Sequence, residues 1–163
     1  MKNPIRQSIT ALCMLAAILF STRANAQDLA LNKDSLLKVL YKYSFEHYNV
    51  TPNIPKEYTE KKDKYEVPAD ETVMAYLDAS IMGNGKFGVV FGLKGLYIYN
   101  SKTSDSPGRK FLSYSVYKMS EVVRDGKNEL RIGPVSIEII GLGRTEQGKF
   151  EELLREMKTK LLR

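Results

Sequence analysis

The sequence predicts an α+β fold in which about seven antiparallel strands lie between an N-terminal and a C-terminal helix. Apolar residues recur at helical spacing over residues 32–48 and again over 145–163. Between residues 73 and 140 they instead alternate with polar residues at the period of a strand. Glycine-containing turns separate several of these alternating segments by only a few residues, which favours antiparallel neighbours.

The first 26 residues have the three-part layout of a secretory signal peptide. Two basic residues precede an apolar run over residues 9–20, and a small-x-small triplet ends at Ala26, so cleavage is expected between Ala26 and Gln27. The run is shorter than the roughly 20 residues that cross a bilayer. The sequence therefore predicts secretion, with the periplasm as the expected compartment, and no transmembrane helix in the mature chain.

Length and composition limit the number of domains, the kinds of site and the partners that the mature chain, residues 27–163, can have. This length suffices for one domain with its own core. The only cysteine, Cys13, is removed with the leader, so neither a disulfide nor a thiolate metal site is available. Three of the cationic residues behind the net charge of +6 also belong to the leader, and the remaining lysines are interspersed with acids. That pattern does not indicate a nucleic-acid partner.

The helical spacing of apolar residues over residues 32–48 predicts the first helix, with either Asn32 or Asp34 as its N-cap. Three prolines then exclude a long regular element from the connector that extends to residue 68, although it can contain a short helical turn. The mixture of lysines and acids in this connector is typical of a solvated surface.

Seven segments are predicted as strands, and one amphipathic helix follows them. The strands are residues 73–80, 87–91, 96–98, 111–116, 120–123, 129–132 and 135–140. The helix carries apolar residues at positions 150, 153, 154, 157 and 161, and Thr145 is the predicted cap. We expect its apolar stripe to pack in the core.

The stretch GNGKFGVVF (83–91) contains a complete G-x-G-x-x-G pattern, from Gly83 through Gly85 to Gly88. A dinucleotide fingerprint requires a helix to begin at the last glycine. Here the residues after Gly88 alternate as a strand, and the other motifs of a kinase do not occur in the sequence. We therefore interpret the glycines as a tight chain reversal around Asn84, and no cofactor is predicted.

No set of catalytic residues can be assembled from the sequence. His47 is the only histidine, and the adjacent acidic pairs point in different directions. Tyrosine is frequent while tryptophan is absent, and Tyr97 and Tyr99 occupy one face of a predicted strand. Exposed tyrosines on a sheet face could bind a ligand, whereas pairing across strands or coverage by the first helix is the structural alternative.

Two segments resemble bacterial pleckstrin-homology-like (PH-like) domains of uncharacterised proteins. They are PNIP (52–55) and ADETVMAYLDASIMGNGKFGVVFGLKGLYIYNS (69–101), and the likeness is by pattern only from 109 to 163. The resemblance implies a PH-like barrel of about seven antiparallel strands closed by a C-terminal capping α-helix. It divides the chain into a signal peptide (1–26), an N-terminal helix with its connector (27–68) and a PH-like domain (69–163). Relatives often carry aspartate where this chain has Phe87, which leaves open whether Phe87 is exposed or buried.

The function predicted on this basis is a secreted, non-enzymatic binding or scaffolding module. Its partner would be an envelope protein or peptide that contacts an exposed sheet edge or the hairpin at 83–88. The candidate binding residues are Asn84, Lys86, Phe87, Lys94, Tyr97 and Tyr99. The alternative is a lipid or small apolar ligand held in a groove between the first helix and the barrel.

Overall fold

The computed structural model describes residues 33–54, 58, 61–101 and 107–162. Ser35–Arg163 form one compact unit. The predicted cleavage site at Ala26 and Gln27, and the capping candidate Asn32, lie outside the described residues. Within the described ranges, no helix combines the length and the apolar character that crossing a bilayer requires.

Strands and helical segments follow one another along the described part of the chain. They are α1 (33–42), β1 (Tyr48–Val50), a 3-10 turn (Lys62–Lys64), β2 (Val73–Asp78), β3 (Phe87–Gly92), β4 (Gly95–Asn100), β5 (Gly108–Ser113), α2 (Tyr114–Met119), β6 (Val122–Arg124), β7 (Glu129–Ile132), β8 (Val135–Glu138) and α3 (Arg144–Leu161). The strands form two antiparallel sheets, in the orders β1-β2-β3-β4-β5 and β6-β7-β8. The predicted α+β class, both terminal helices and the short helical turn in the connector are therefore confirmed.

The two sheets are not closed into a barrel, contrary to the expectation from the resemblance. Helix α2 separates β5 from β6, and these two strands belong to different sheets. The predicted strand over 111–116 is thus wrong in its second half. Ser113 explains the change, because its hydroxyl accepts a hydrogen bond from the amide of Val116 and caps a helix. The helical turn buries Tyr117, whose hydroxyl donates to the carbonyl of Leu154 in α3.

The N-terminal helix is shorter than predicted. Helix α1 ends at residue 42, and residues 48–50 become β1, which pairs with β2 through Tyr48 and Leu77. Between them His47 adopts a φ of 55°, in the left-handed region. The pairing of β1 with the edge of β2 satisfies backbone groups that a longer helix would have left exposed on the sheet.

The reversal between β2 and β3 is confirmed, with sheet structure on both sides. The backbone of Ala79 pairs with that of Phe87, and Gly83 and Gly85 adopt φ values of 60° and 67°. At Gly88, a Cβ atom would lie 2.5 Å from both the Leu77 carbonyl and the Tyr65 hydroxyl. Gly88 therefore permits close strand and side-chain approach, and it begins no helix.

The main core lies between the inner faces of the two sheets and the helices α1 and α3. Its buried side chains include Leu36 and Leu40 from α1, and Phe150, Leu154 and Met157 from α3. The predicted apolar stripe of the C-terminal helix is therefore core. The cap differs from the prediction: Glu146 accepts a hydrogen bond from the amide of Gly143, and Thr145 lies within the helix.

A second apolar cluster covers the other face of the five-stranded sheet. Tyr76, Val90 and Tyr97 come from the sheet, and Tyr58 and Tyr65 come from the connector. Tyr97 is thus buried and Tyr99 half-buried on the face that the connector covers. Of the two structural alternatives, cross-strand pairing is observed between Tyr97 and Phe111, with 4.8 Å between ring centroids, and the covering element is the connector instead of the first helix.

Candidate functional site

The hairpin loop between β2 and β3 is organised by the buried carboxylate of Asp78. Its two oxygens accept hydrogen bonds from the amides of Ser80 (3.1 Å) and Gly85 (2.7 Å) and from the Ser80 hydroxyl. The ammonium of Lys61 lies 3.3 Å from the same carboxylate and donates to the carbonyl of Gly83 at 2.6 Å. Lys61 is therefore an exception to the solvated lysines expected of the connector. These contacts fix the loop in one conformation.

Three predicted binding residues lie at this hairpin, with different exposures. Asn84 and Lys86 are exposed, and the Asn84 side chain accepts a hydrogen bond from the amide of Lys86. Phe87 is buried in the main core, which settles the alternative that the sequence left open. The apolar tip of the loop consists instead of Ile81 and Met82, which are 71% and 81% exposed.

Lys94 and Tyr97 lie at the opposite end of β3 and β4. The Lys94 ammonium is 2.7 Å from the carboxylate of Asp70. Tyr97 is buried, and its hydroxyl donates to Glu71, whose other oxygen accepts from the amides of Leu93 and Lys94. Burial, reinforced by the Glu71 carboxylate, raises the pKa of Tyr97 well above its ordinary value. These contacts tie the segment just before β2 to the turn between β3 and β4.

Tyr99 is half-buried, and it contacts the ring of Tyr65 with 6.0 Å between ring centroids. It also lines an open hollow of about 350 Å³ with Glu66, Asn100, Gly108 and Arg109. The six predicted residues thus occupy a hairpin loop, a turn at the other end of the sheet, and buried or half-buried positions between them. The structure does not gather them into one surface.

A groove of about 710 Å³ lies elsewhere, between β6 and the C-terminal half of α3. It is lined by Glu121, Val122, Val123, Arg124, Glu151, Arg155, Lys158, Thr159 and Leu162. Its volume falls in the range of ligand-binding clefts. Strand β6 is an edge strand, because among the described residues β7 is the only strand that pairs with it.

In an antiparallel pair of strands, every second residue bonds the neighbouring strand, and the residues between them direct their backbone groups away from it. This alternation shows which residues of β6 face away from β7. The amide of Asp125 donates to the carbonyl of Glu129, so Val123, two residues earlier, also pairs directly with β7 through Arg131. Val122 and Arg124 therefore direct their N–H and C=O groups away from β7, and of the two residues Arg124 is exposed whereas Val122 is 2% exposed. Within the described part of the chain, no group accepts a hydrogen bond from either amide.

Charged side chains link α3 to β6 across the groove. Glu151 accepts hydrogen bonds from Arg124 at 3.2 Å and from Arg155 at 2.9 Å. These contacts, led by the hydrogen bond from Arg155, lower the pKa of Glu151. Lys158 donates to the carbonyl of Ser120 at 2.7 Å, next to the start of β6. The result is an open groove with strand β6 on one wall and the charged face of α3 on the other.

This groove was not predicted from the sequence. The sequence pattern indicated a strand near residues 120–123 and charged residues on the polar face of the C-terminal helix, but neither pattern indicates that the two elements lie side by side. That placement depends on how α3 packs into the core, which is a tertiary feature.

Among the residues that the structure describes, no group of three or more His, Cys, Asp or Glu side chains could hold a metal ion. Comparisons with protein-family models, with curated proteins and with solved structures found no match to this chain.

Proposed function

We propose that the protein is a secreted, non-enzymatic binding module that takes an extended peptide by strand addition at the open edge of β6. The observation that carries the proposal is the coincidence of the groove with the outward-directed N–H and C=O groups of the exposed residue Arg124, at the edge of the sheet. A peptide added at a sheet edge gains main-chain hydrogen bonds, and an adjoining groove selects its alternate side chains.

Membership of a PH-like fold is part of the same proposal. Strands β2–β8 followed by α3 have the order on which the resemblance rests, seven strands and then a helix. The additional β1 and the helix α2 depart from it. Secretion is supported by the leader pattern at residues 1–26.

The alternative, a lipid or apolar ligand between the first helix and the sheets, has no supporting observation in the described residues. Leu36, Val39 and Leu40 of α1 are each at most 2% exposed, and they pack directly in the main core. A ligand at that position would require α1 to move away from the sheets.

The test is selection from an unbiased library of peptides displayed against the purified protein, followed by mapping of the selected peptide by amide NMR shifts. We expect the largest shifts at Val122, Val123 and Arg124 and along the facing side of α3. Shifts confined to the hairpin at 80–86 or to β5 would overturn the proposal.

A matched pair of variants controls for surface effects. Val123→Glu places a charge in the groove, whereas Ile140→Glu makes the same change at a site outside this groove with similar exposure, 38% against 36%. Both positions are partly exposed, so both variants are expected to fold. Binding should be lost with Val123→Glu and kept with Ile140→Glu, and equal binding to the two variants contradicts the proposal.

A further inference from the structure

An open hollow of about 630 Å³ lies where the turn between β6 and β7 meets the start of α3. Its volume falls within the range of small-molecule sites. Of the described side chains that line it, three are cationic and none is acidic. The cations are Arg124, Lys127 and Arg144, and the remaining lining residues are Asn128, Ile140, Leu142 and Gln147. The hollow is therefore electrostatically complementary to an anion that carries more than one negative charge.

The guanidinium of Arg124 is held from two sides. Its Nη1 donates to the side-chain oxygen of Gln147 at 2.9 Å, and its Nε and Nη2 donate to one oxygen of Glu151 at 3.3 and 3.2 Å. Gln147 is only 8% exposed, and its amide nitrogen donates to the carbonyls of Ile139 and Leu142. Arg124 is thus oriented before a ligand binds, and two of its five N–H groups have no acceptor among the described residues.

The other two cations are exposed, and their side chains make no hydrogen bond or ion pair with any residue that the structure describes. Arg144 is the first residue of α3, and Lys127 lies in the turn between β6 and β7. Lys127 also lines a neighbouring hollow with Asp125, Glu129 and Glu138, whereas neither arginine does. We therefore expect the two arginines to contribute more to an anion site than Lys127 does.

An apolar side chain lies beside the cations. Ile140 is 38% exposed and lines the hollow, in the segment that leads from β8 into α3. The amide of Ile139 donates to the carbonyl of Asn128 at 2.8 Å, which holds this segment against the turn between β6 and β7. The hollow thus combines cations with an apolar contact, as sites for organic anions do.

We propose that this hollow binds a phosphomonoester, with its phosphate at Arg124 and Arg144 and its organic group against Ile140. A guanidinium matches phosphate oxygens through paired, charge-assisted hydrogen bonds. A phosphomonoester carries about 1.5 to 2 negative charges at neutral pH, so it gains more from several cations than a carboxylate does. The same group occurs in soluble esters and in lipid headgroups. The site is separate from the proposed strand addition, since it uses side chains and not the backbone edge of β6.

Calorimetric titration with phenyl phosphate tests the proposal. Benzoate and benzylamine present a similar ring with one negative or one positive charge. We expect saturable binding of phenyl phosphate, binding about tenfold weaker for benzoate, and no binding of benzylamine. The affinity for phenyl phosphate should fall with added salt. Affinity for benzoate equal to that for phenyl phosphate would overturn the choice of phosphate.

Vesicles distinguish the two sources of the phosphate. Phosphatidylcholine vesicles that contain phosphatidic acid present the same group on a lipid, and pure phosphatidylcholine vesicles are the control. Binding to the first kind alone, competed by phenyl phosphate, would assign the group to a headgroup, whereas binding of phenyl phosphate without vesicle binding would assign it to a soluble ester. If phenyl phosphate neither binds nor competes with the vesicles, the proposal is wrong.

Two variants with the same change in charge locate the site. Arg144→Gln removes a cation from the hollow, and Lys149→Gln removes an exposed cation from the same helix outside it. Neither side chain makes a hydrogen bond or ion pair among the described residues, so both variants are expected to fold. Affinity for phenyl phosphate should fall about tenfold with Arg144→Gln and less than about twofold with Lys149→Gln. Equal effects would mean that only net charge matters, and they would overturn the site.

The variants Val123→Glu and Ile140→Glu separate this inference from the proposed function. Ile140→Glu places a carboxylate among the three cations, so it should abolish binding of phenyl phosphate and leave peptide binding intact. Val123→Glu should do the reverse, because Val123 lines the other groove. If selected peptides bind at β6 and phenyl phosphate does not bind, strand addition stands and this inference is wrong. If phenyl phosphate binding is lost with Ile140→Glu alone, the anion site stands even where no peptide is selected.

Discussion

The two outer edges of the three-stranded sheet differ in the element that lies beside each of them. The edge of β8 is closed by a side chain from the other sheet, whereas the edge of β6 faces an open groove. Both edges belong to antiparallel strands of similar length, and both direct two residues outward. What distinguishes them is the element that lies alongside.

At β8 the outward residues are Ser136 and Glu138. The side-chain amide of Asn100 donates to the carbonyl of Ser136 at 2.9 Å and accepts from the amide of Glu138 at 3.2 Å. It thereby takes the place that a neighbouring strand would occupy. Asn100 is fully buried at the end of β4, so this edge cannot receive another chain.

At β6 the neighbouring element is a helix, whose backbone groups already bond within α3. Side chains alone bridge to β6, namely Glu151 with Arg124 and Lys158 with the carbonyl of Ser120. These side chains leave the outward backbone groups of the exposed residue Arg124 without a bond among the described residues. The two edges therefore differ in their neighbour: a buried side-chain amide bonds the backbone of β8, whereas only side chains link β6 to α3.

The largest expected effect comes from opening the closed edge. Asn100→Ala removes two buried hydrogen bonds and leaves Ser136 and Glu138 unpaired, so we expect the free energy of unfolding to fall by about 2 to 4 kcal/mol. Denaturant unfolding measures this. Asn84→Ala is the matched control, because that exposed amide makes one local contact, and it should cost less than about 0.5 kcal/mol. Equal losses would show that Asn100 does not close the edge.

The two edges should also differ in how their stability depends on pH, and this effect is expected to be smaller. The folded-state pKa of Glu151 is depressed, so its contribution to stability is complete above its ordinary value of 4.5 and is lost as the pH falls through the folded-state pKa. The amide of Asn100 does not titrate. Acid should therefore loosen the α3 side of β6 before it affects β8.

Glu151→Gln measures this contribution. We expect the variant to lose about 0.5 kcal/mol at neutral pH, as is typical of partly exposed ion pairs, and to show a shallower decline between pH 5 and 3 than the parent. Unfolding followed across that pH range gives both quantities. An unchanged acid profile would mean that Glu151 does not hold the groove together.

Much of this architecture could be predicted from residue patterns. Alternation and glycine turns identified β2, β3 and β4, and the stripe through Phe150 and Met157 identified α3, because these signals are local. The strand predicted through Val116 failed because alternating apolar residues do not distinguish a strand from one helical turn capped by Ser113. Strand β1 was missed because pairing with β2 overrode the helical pattern near Tyr48.

The candidate site depended on longer-range features. Asn100 is one polar residue at the end of a strand, and only the meeting of two sheets gives its amide a strand edge to bond. Arg124 and Arg155 are 31 positions apart and meet through Glu151. No spacing rule connects such residues. The candidate binding residues predicted from the sequence therefore lie at the hairpin and among the tyrosines instead.

Hydrogen exchange at individual amides tests the central claim most directly. In the free protein, the amide of Glu138 should exchange slowly, because it is bonded to Asn100, while the amide of the exposed residue Arg124 should exchange near the rate of unprotected backbone. A bound peptide should slow exchange at Arg124 and leave Glu138 unchanged. Protection of Arg124 equal to that of Glu138 in the free protein would contradict an open edge at β6.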